Sequence, residues 1–389
     1  MITLNSLVQH RLLEALEAGI VKGTLHLTTP TGERRTFRGA QLGGEAQWQI
    51  HDWSVATALA SRGDIGLGQT YTAGLWDTDN LDALFTVFVD NLETLDTHAN
   101  GHGLNRWWYR LVNTVLRRNS PQGSSKNIRS HYDVGNAFYR LWLDESLTYS
   151  SALYADSETS LEVAQQAKYR RILGAITPDR RRVLEIGCGW GGFAAAASQA
   201  GHSLTGLTIS PSQYHVASER LAGKADIRLE DYRHAKGMFE AIASIEMFEA
   251  VGRRYWPVYF NTLRRRLVSG GVAVVQTITV ADAVFDAYAR RSDYIRHYVF
   301  PGGMLPSVAA FRVGAEKAGL MCQEVFAFGQ DYARTLREWL ARFDAVLPRI
   351  REMGYGEAFI RSWRLYLSMC AASFAGQRTD VVQVVLRNP

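Results

Sequence analysis

At 389 residues the chain exceeds the roughly 250–300 residues at which one hydrophobic core stops growing, so two domains are expected. Hydrophobic residues at 47% and charged residues at 21% exclude a largely disordered or collagen-like chain, and no run approaches the roughly 18 apolar residues of a bilayer span. The net charge of +5 is a mild basic excess that suits an anionic surface, lipid or nucleic acid.

In chain order, the N-terminal stretch MITLNSLVQHRLLEALEAG is amphipathic and interrupted by His10, Arg11, Glu14 and Glu17, unlike a secretory signal. Gly23–Gly39 alternates apolar and polar residues around a Pro-Thr-Gly turn, which predicts a hairpin; Trp48–Ser61 and Leu81–Leu95 predict helices. These make a small α+β domain over 1–100. A helical linker over 101–126 carries Arg106, Arg110, Arg117 and Arg118 beside Trp107, Trp108 and Tyr109, then a Ser/Gly/Pro stretch around Ser120–Ser125. Such a helix suits a membrane interface, or docks on its own protein.

From Arg182 onward apolar strands alternate with helices: RRVLEIG, a helix over Ala194–Ala200, HSLTGLTI, a helix from Ser212, ADIRLEDY, AIASIEMF and GVAVVQTI. That alternation predicts a parallel, doubly wound α/β sheet over 127–389. Helices before it (Ser130–Leu143, Leu161–Ile176) and after it (Asp282–His297, Ser307–Ala318, Thr335–Arg351, Gly356–Ala375) are expected to cap the ligand edge. Cys188, Cys322 and Cys370 are widely spaced, with no CxxC pair, so neither a disulfide framework nor a cysteine zinc site is expected; a reducing cytosol fits.

VLEIGCGWGG (Val183–Gly192) runs from strand into a glycine turn in which Gly187, Gly189 and Gly191 recur at every second position. This E-x-G-x-G-x-G spacing differs from the dinucleotide fingerprint and points to S-adenosylmethionine, whose approach the glycine backbone permits. About twenty residues on, Thr208, Ser210 and Gln213 are uncharged hydrogen-bonding candidates for a ribose. Asp231 and Tyr232 follow the next strand where an adenine would be met; Asp231 reads equally well as a helix cap.

These motifs, together with SHYDVGNAFYRLWLDESLTYSSALY (Ser130–Tyr154), SIEMFEAVG (Ser244–Gly252), YVFPGGMLPS (Tyr298–Ser307), FGQDYARTLREW (Phe328–Trp339) and YLSMCAASF (Tyr366–Phe374), resemble the cyclopropane-fatty-acyl-phospholipid synthase family. The likeness covers Lys126 to the end closely and the N-terminal domain more loosely. It implies a class I, Rossmann-like methyltransferase domain with helical insertions, acting at the inner face of the membrane from the cytoplasm, and a homodimer. The implied reaction is methyl transfer from S-adenosylmethionine to a cis double bond of a phospholipid acyl chain in a dry, aromatic-lined tunnel, followed by loss of a proton to a base. Tyr149 and Ser150 match cofactor contacts, His131, Tyr132 and Asp133 a lid block, and Gly302 and Gly303 a loop bordering the tunnel.

In the family's ring-forming members the base is a bicarbonate held by Cys, Glu, His, Tyr and backbone amides. The Glu carries over to Glu249 and the Tyr to Tyr332; the Cys position is Ser151 and the His position Gln276. Glu246 stands three residues before Glu249, where many bacterial cyclopropane synthases have Gly. Two carboxylates so close suit a general base that supplements or replaces bicarbonate; the plain alternative is a surface ion pair with Arg253 or Arg254. Similar Glu–Gln blocks occur in relatives that make methyl or methylene branches, the alternative product. A nucleic-acid methyltransferase is disfavoured because SIEMFEAVG replaces the Asn/Asp-Pro-Pro-Tyr block, and a non-catalytic lipid-binding protein because Glu249, Tyr332 and the glycine turn are intact.

Overall fold

The computed structural model describes residues 4–99, 134–177 and 179–389. The arginine- and tryptophan-bearing linker helix, the Ser120–Ser125 stretch and the His131, Tyr132 and Asp133 block lie outside the described residues. Packing divides the chain into two compact units.

The first comprises the described part of Met1–Val115 with Arg291–Val299 and Asp344–Gly376. Its sheet has the order β2-β1-β3-β4, with β1 at Lys22–Thr28, β2 at Arg34–Arg38, β3 at Gln41–Ile50 and β4 at Trp76–Asp77. β1 and β2 are the expected hairpin, and β3 pairs parallel to β1. The expected helix over Trp48–Ser61 is corrected: Ala46, Trp48 and Ile50 are buried at every second position, so the strand continues to Ile50 and the helix spans only Ser54–Arg62. Arg291–Val299 and Asp344–Gly376 were expected within the 127–389 domain. They join the first unit because the Glu357–Ala375 helix packs on the Leu81–Asp90 and Asp64–Thr72 helices, putting Leu365 and Ala372 into the same core as Leu84 and Trp48.

The helix expected over Leu81–Leu95 breaks into Leu81–Asp90 and Leu92–Ala99 at Asn91. The Asn91 side chain is buried and used at both ends. Its Oδ1 accepts from the Val21 and Lys22 N–H groups, and its Nδ2 donates to the Lys22 and Val87 carbonyls, each at 2.8 Å. Asn91→Leu strands these backbone groups away from water, and its urea midpoint should fall by the equivalent of at least about 2 kcal/mol with an unchanged slope.

The second unit carries a seven-stranded sheet of order β10-β11-β9-β8-β5-β6-β7. Its strands are β5 Arg182–Ile186, β6 Ser203–Thr208, β7 Asp226–Leu229, β8 Phe239–Ile245, β9 Leu267–Val280, β10 Met321–Ala327 and β11 Thr379–Arg387. β5 to β9 are mutually parallel, the doubly wound arrangement that the sequence alternation predicts. β10 and β11 were not anticipated; β11 lies antiparallel between β9 and β10.

Helices cover both faces. Tyr169, Ile172 and Ile176 of the Leu161–Ile176 helix join Phe193 and Ala197 on one side. Phe248, Trp256, Tyr259, Phe260 and Phe311 fill the other. The expected Asp282–His297 helix ends early, at Arg290, the expected Thr335–Arg351 helix is displaced towards the N-terminus as Gly329–Ala345 and followed by a separate Leu347–Glu352 helix, and of Ser130–Leu143 the described residues contain the single helix Asn136–Tyr139. The chain leaves β5 for β6 and β7 on one side and returns as β8 on the other. The carboxyl ends of β5 and β8 thus form the crevice where open α/β sheets bind ligands.

Candidate active site

At the end of β5 the chain turns through Gly187, Gly189 and Gly191, with φ of +81°, +53° and +84°. A Cβ on Gly187 would stand 2.7 Å from Met247 Cγ, whereas one on Gly189 would meet nothing within 4 Å, so the turn is packed on one side and open on the other. Gly191 leads into the Gly192–Gln199 helix as its N-cap and brings no side chain to cap the first-turn N–H groups. A glycine cradle with uncapped amides fits the close approach of S-adenosylmethionine.

The other expected cofactor residues are brought to the same edge with several polar atoms already engaged. Thr208 Oγ1 donates to Gln213 Oε1 at 2.9 Å and accepts from the Ser210 N–H at 3.2 Å, while Ser210 Oγ caps the Pro211–Leu221 helix. Asp231 is the helix-capping alternative made real. Its carboxylate accepts from the Arg233 backbone N–H and from the Arg233 Nε and Nη2, at 3.0, 2.8 and 2.6 Å. Burial would raise Asp231, and the Arg233 contacts outweigh it and hold the carboxyl below its usual range. The Tyr232 ring stands edge-on to Tyr259 at 5.7 Å.

The five residues expected to manage the proton meet at the end of β8. Glu246 Oε1 accepts from the Ser151 N–H at 2.8 Å and from Gln276 Nε2 at 2.7 Å; Glu246 Oε2 accepts from the Tyr332 hydroxyl at 2.6 Å. Glu249 Oε1 accepts from Thr277 Oγ1 at 3.0 Å and the Ile278 N–H at 2.5 Å. Glu249 Oε2 is buried and has no partner among the described residues. Glu246 therefore bonds within this buried cluster rather than pairing at the surface with Arg253 or Arg254. Ser151 contributes its amide, because its hydroxyl donates to the Ala152 carbonyl at 3.0 Å.

Glu246 also holds an unusual backbone, φ +48°, in the left-handed region that glycine favours. Protein surrounds both carboxyls, although each residue as a whole is only half-buried. Burial raises Glu246 against the pull of Tyr332, Lys168, Ser151 and Gln276. Burial, then the charge of Glu246, pushes Glu249 up to about 8. The two titrate as a pair, and the three donors on Glu246 place the shared negative charge there, leaving the proton on Glu249.

Tyr149 and Ser150 directly precede Ser151 in the chain. Aromatic rings run from the glycine turn to the carboxylates: Trp190 touches Tyr139 at 5.2 Å, Tyr139 touches Tyr149 at 5.5 Å, and Tyr149 stacks on Trp339 at 5.1 Å. Tyr332, the donor to Glu246, stands edge-on to Trp339 at 6.1 Å. Such a wall offers ring faces to a cation and little hydrogen bonding to water. The Gly302–Gly303 loop borders the same place, since the Met304 N–H donates to the Glu249 carbonyl at 2.8 Å.

Three residues absent from the sequence reading complete the cluster. Gln383 of β11 lies opposite Gln276 in register and donates to Gln276 Oε1 at 3.0 Å, which turns the Gln276 amide so that Nε2 faces Glu246. The signal was a lone Gln in the apolar run VVQVVL. Gln165 and Lys168 of the Leu161–Ile176 helix are fully buried and both contact Ser150. A Gln and a Lys on the inner face of an otherwise apolar helical pattern were their signal.

The family described as mycolic acid cyclopropane synthetase matches residues 119–384. The chain is 33% identical over 351 residues, 86% of its length and 81% of the relative's, to tuberculostearic acid methyltransferase UfaA1 of Mycobacterium tuberculosis. It is 36% identical over 331 residues, 84% of each chain, to the cyclopropane-fatty-acyl-phospholipid synthase of Escherichia coli. Among solved structures it is similar to mycolic acid cyclopropane synthase CmaA1 complexed with SAH and CTAB, with TM-score 0.63 and 28% identity, covering 67% of this chain and 97% of that one.

Proposed function

The chain belongs to the mycolic acid cyclopropane synthetase family, and from that premise we propose that it adds a one-carbon unit from S-adenosylmethionine to the cis double bond of unsaturated phospholipid acyl chains and closes a ring. It is an S-adenosylmethionine-dependent methyltransferase. The cofactor supplies an electrophilic methyl group on a sulfonium. The glycine turn, Tyr149 and Ser150 hold it, with Thr208, Ser210, Gln213 and Tyr232 shaping the nucleoside side.

An isolated alkene is a weak nucleophile, so this chain's contribution is to hold the double bond in line, exclude water and stabilise the positive charge left on the acyl chain. The ring faces of Tyr149, Trp339 and Tyr332 suit that charge. Ring closure then needs a base. The observation that carries the reading is the position of the Glu246 carboxylate, which takes the Ser151, Gln276 and Tyr332 donors. Those are the positions that the family resemblance assigns to a bicarbonate, so a free bicarbonate has no vacant donor set beside Glu246, and the residues do not fit it. We assign the proton acceptor to Glu246, with Glu249 carrying the paired proton.

The acyl chain is drawn from the membrane surface, where the enzyme docks peripherally on the cytoplasmic face and works as a homodimer. Among the described residues no helix is long and apolar enough to cross a membrane. The test is incubation with methyl-labelled S-adenosylmethionine and vesicles of unsaturated phospholipid, followed by mass spectrometry and proton NMR of the released acyl chains. Label in a cyclopropane ring is expected. Label beside a surviving olefin or in a methyl branch replaces ring closure with branching, and acyl chains without label overturn the reading.

A further inference from the structure

Lys168 lies in the middle of the Leu161–Ile176 helix with its side chain fully buried, and its Nζ is 2.5 Å from Ser150 Oγ. One turn earlier on the same face, Gln165 Nε2 donates to the Ser150 carbonyl at 2.9 Å. That carbonyl and the Ser151 N–H belong to one peptide group, and the N–H end donates to Glu246 at 2.8 Å. The helix therefore grips the loop between the expected cofactor contact and the base at two atoms. A donor on the carbonyl end of a peptide strengthens the bond made by its N–H end.

Burial pulls the Lys168 ammonium down to about 7, and the charges of Glu246 beyond β8, Asp144 in the loop before Tyr149 and Glu185 in β5 work against that and favour its protonated form, with the Tyr169 ring 4.7 Å from the ammonium. Glu246 in turn faces Glu249, Tyr332 and Lys168. Among the groups that act most strongly on Glu246, Lys168 is the cation.

We propose that Lys168 and Gln165 are positioning residues for the base: Lys168 supplies the buried positive charge that keeps Glu246 ionised, and Gln165 polarises and aims the Ser150–Ser151 peptide that binds it. The inference rests on the assignment of Glu246 as proton acceptor. It ties the base to the cofactor loop through one helix, so that the same two side chains set where S-adenosylmethionine is closed over and how strongly Glu246 holds a proton.

An ammonium near a carboxylate lowers the pH at which that carboxylate ionises, so removing it moves the acidic limb of the rate profile upward. The experiment measures kcat against pH on unsaturated phospholipid vesicles for wild type, Lys168→Met, Gln165→Leu and Glu246→Gln. Lys168→Met should shift the acidic limb up by about one pH unit or more and recover rate at high pH. Gln165→Leu should lower kcat with the limb close to its wild-type position, because no charge is lost. An unmoved limb in Lys168→Met, with activity still dependent on Glu246, overturns the inference and leaves the base assignment standing. Full turnover and an unchanged limb in Glu246→Gln overturn the base assignment, and the inference with it.

Should Lys168→Met fail to fold, the wild-type ammonium decides the matter. Lysine is scarce here, at Lys22, Lys126, Lys168, Lys224, Lys236 and Lys317, so a lysine-labelled NMR titration resolves Lys168. Its midpoint should fall in Glu246→Gln, where the neighbouring negative charge is gone. A midpoint that stays in place overturns the inference.

Discussion

Glu246→Gln should lower kcat by roughly 10²–10⁴-fold, the usual contribution of a positioned general base, while leaving the affinity for S-adenosylmethionine near wild type. The substitution keeps the size of the side chain and its place beneath Ser151, Gln276 and Tyr332, and removes only the ability to accept a proton. In wild type the reaction needs Glu246 ionised. Because burial raises this group, the acidic limb of kcat should lie above the ordinary carboxylate range, and activity should fall as pH drops through it. A rate profile without that limb, or full turnover in Glu246→Gln, would reject the assignment.

Glu246→Gly is the more informative partner. The residue sits at φ +48°, a backbone that costs a side-chain-bearing residue roughly 1–2 kcal/mol, so glycine relieves strain even as the carboxylate is lost. The protein should fold and stand idle until a small carboxylate is added. Bicarbonate should restore turnover in Glu246→Gly in a saturable manner and have little effect on wild type, whose donors are engaged. Failure of bicarbonate, formate and acetate alike to rescue would show that those donors do not form an anion site.

The second large effect is expected at Gly187. Gly187→Ala places a Cβ at φ +81° and 2.7 Å from Met247 Cγ, with Met247 Cβ at 3.0 Å. The Met247 chain lies between Glu246 and Glu249, so relief of this clash displaces both carboxyls along with the cofactor turn. Affinity for S-adenosylmethionine, measured calorimetrically, should fall at least about tenfold, with a stability loss on the order of 1–3 kcal/mol. Gly189→Ala, where a Cβ meets no protein atom within 4 Å, should keep more of its stability and lose cofactor binding instead. Equal losses of stability in the two variants would refute the distinction between a packed and an open side of the turn.

What could be read from the chain depended on distance along it. The strand, glycine turn and helix around Gly187 are local and legible from spacing, and the positive φ values at Gly187, Gly189 and Gly191 show why glycine stands there. The pairing of Glu246 with Ser151, Gln276 and Tyr332 became legible only through the family likeness, since these positions are scattered between residues 151 and 332. Gln383 and Lys168 escaped notice because their partners are fixed by β9–β11 register and by helix facing, neither of which a motif contains. β11 was missed for a related reason: a strand covered on both faces shows a continuous apolar run without the alternation that marks a half-exposed one. At Trp48 the error was one of boundary, where a strand's period-two burial ran on into residues that resemble a helix start.

The insertion of β11 between β9 and β10 has a temporal meaning. Gln276 has its orienting neighbour only once Gln383 has been added, more than a hundred residues further along the chain than the end of β9. Until then β9 has an open edge, β10 has no strand to join, and the amide that steers Glu246 is free to rotate. Alignment of the base is therefore coupled to the pairing of two strands far apart in sequence, the kind of long-range contact that forms slowly.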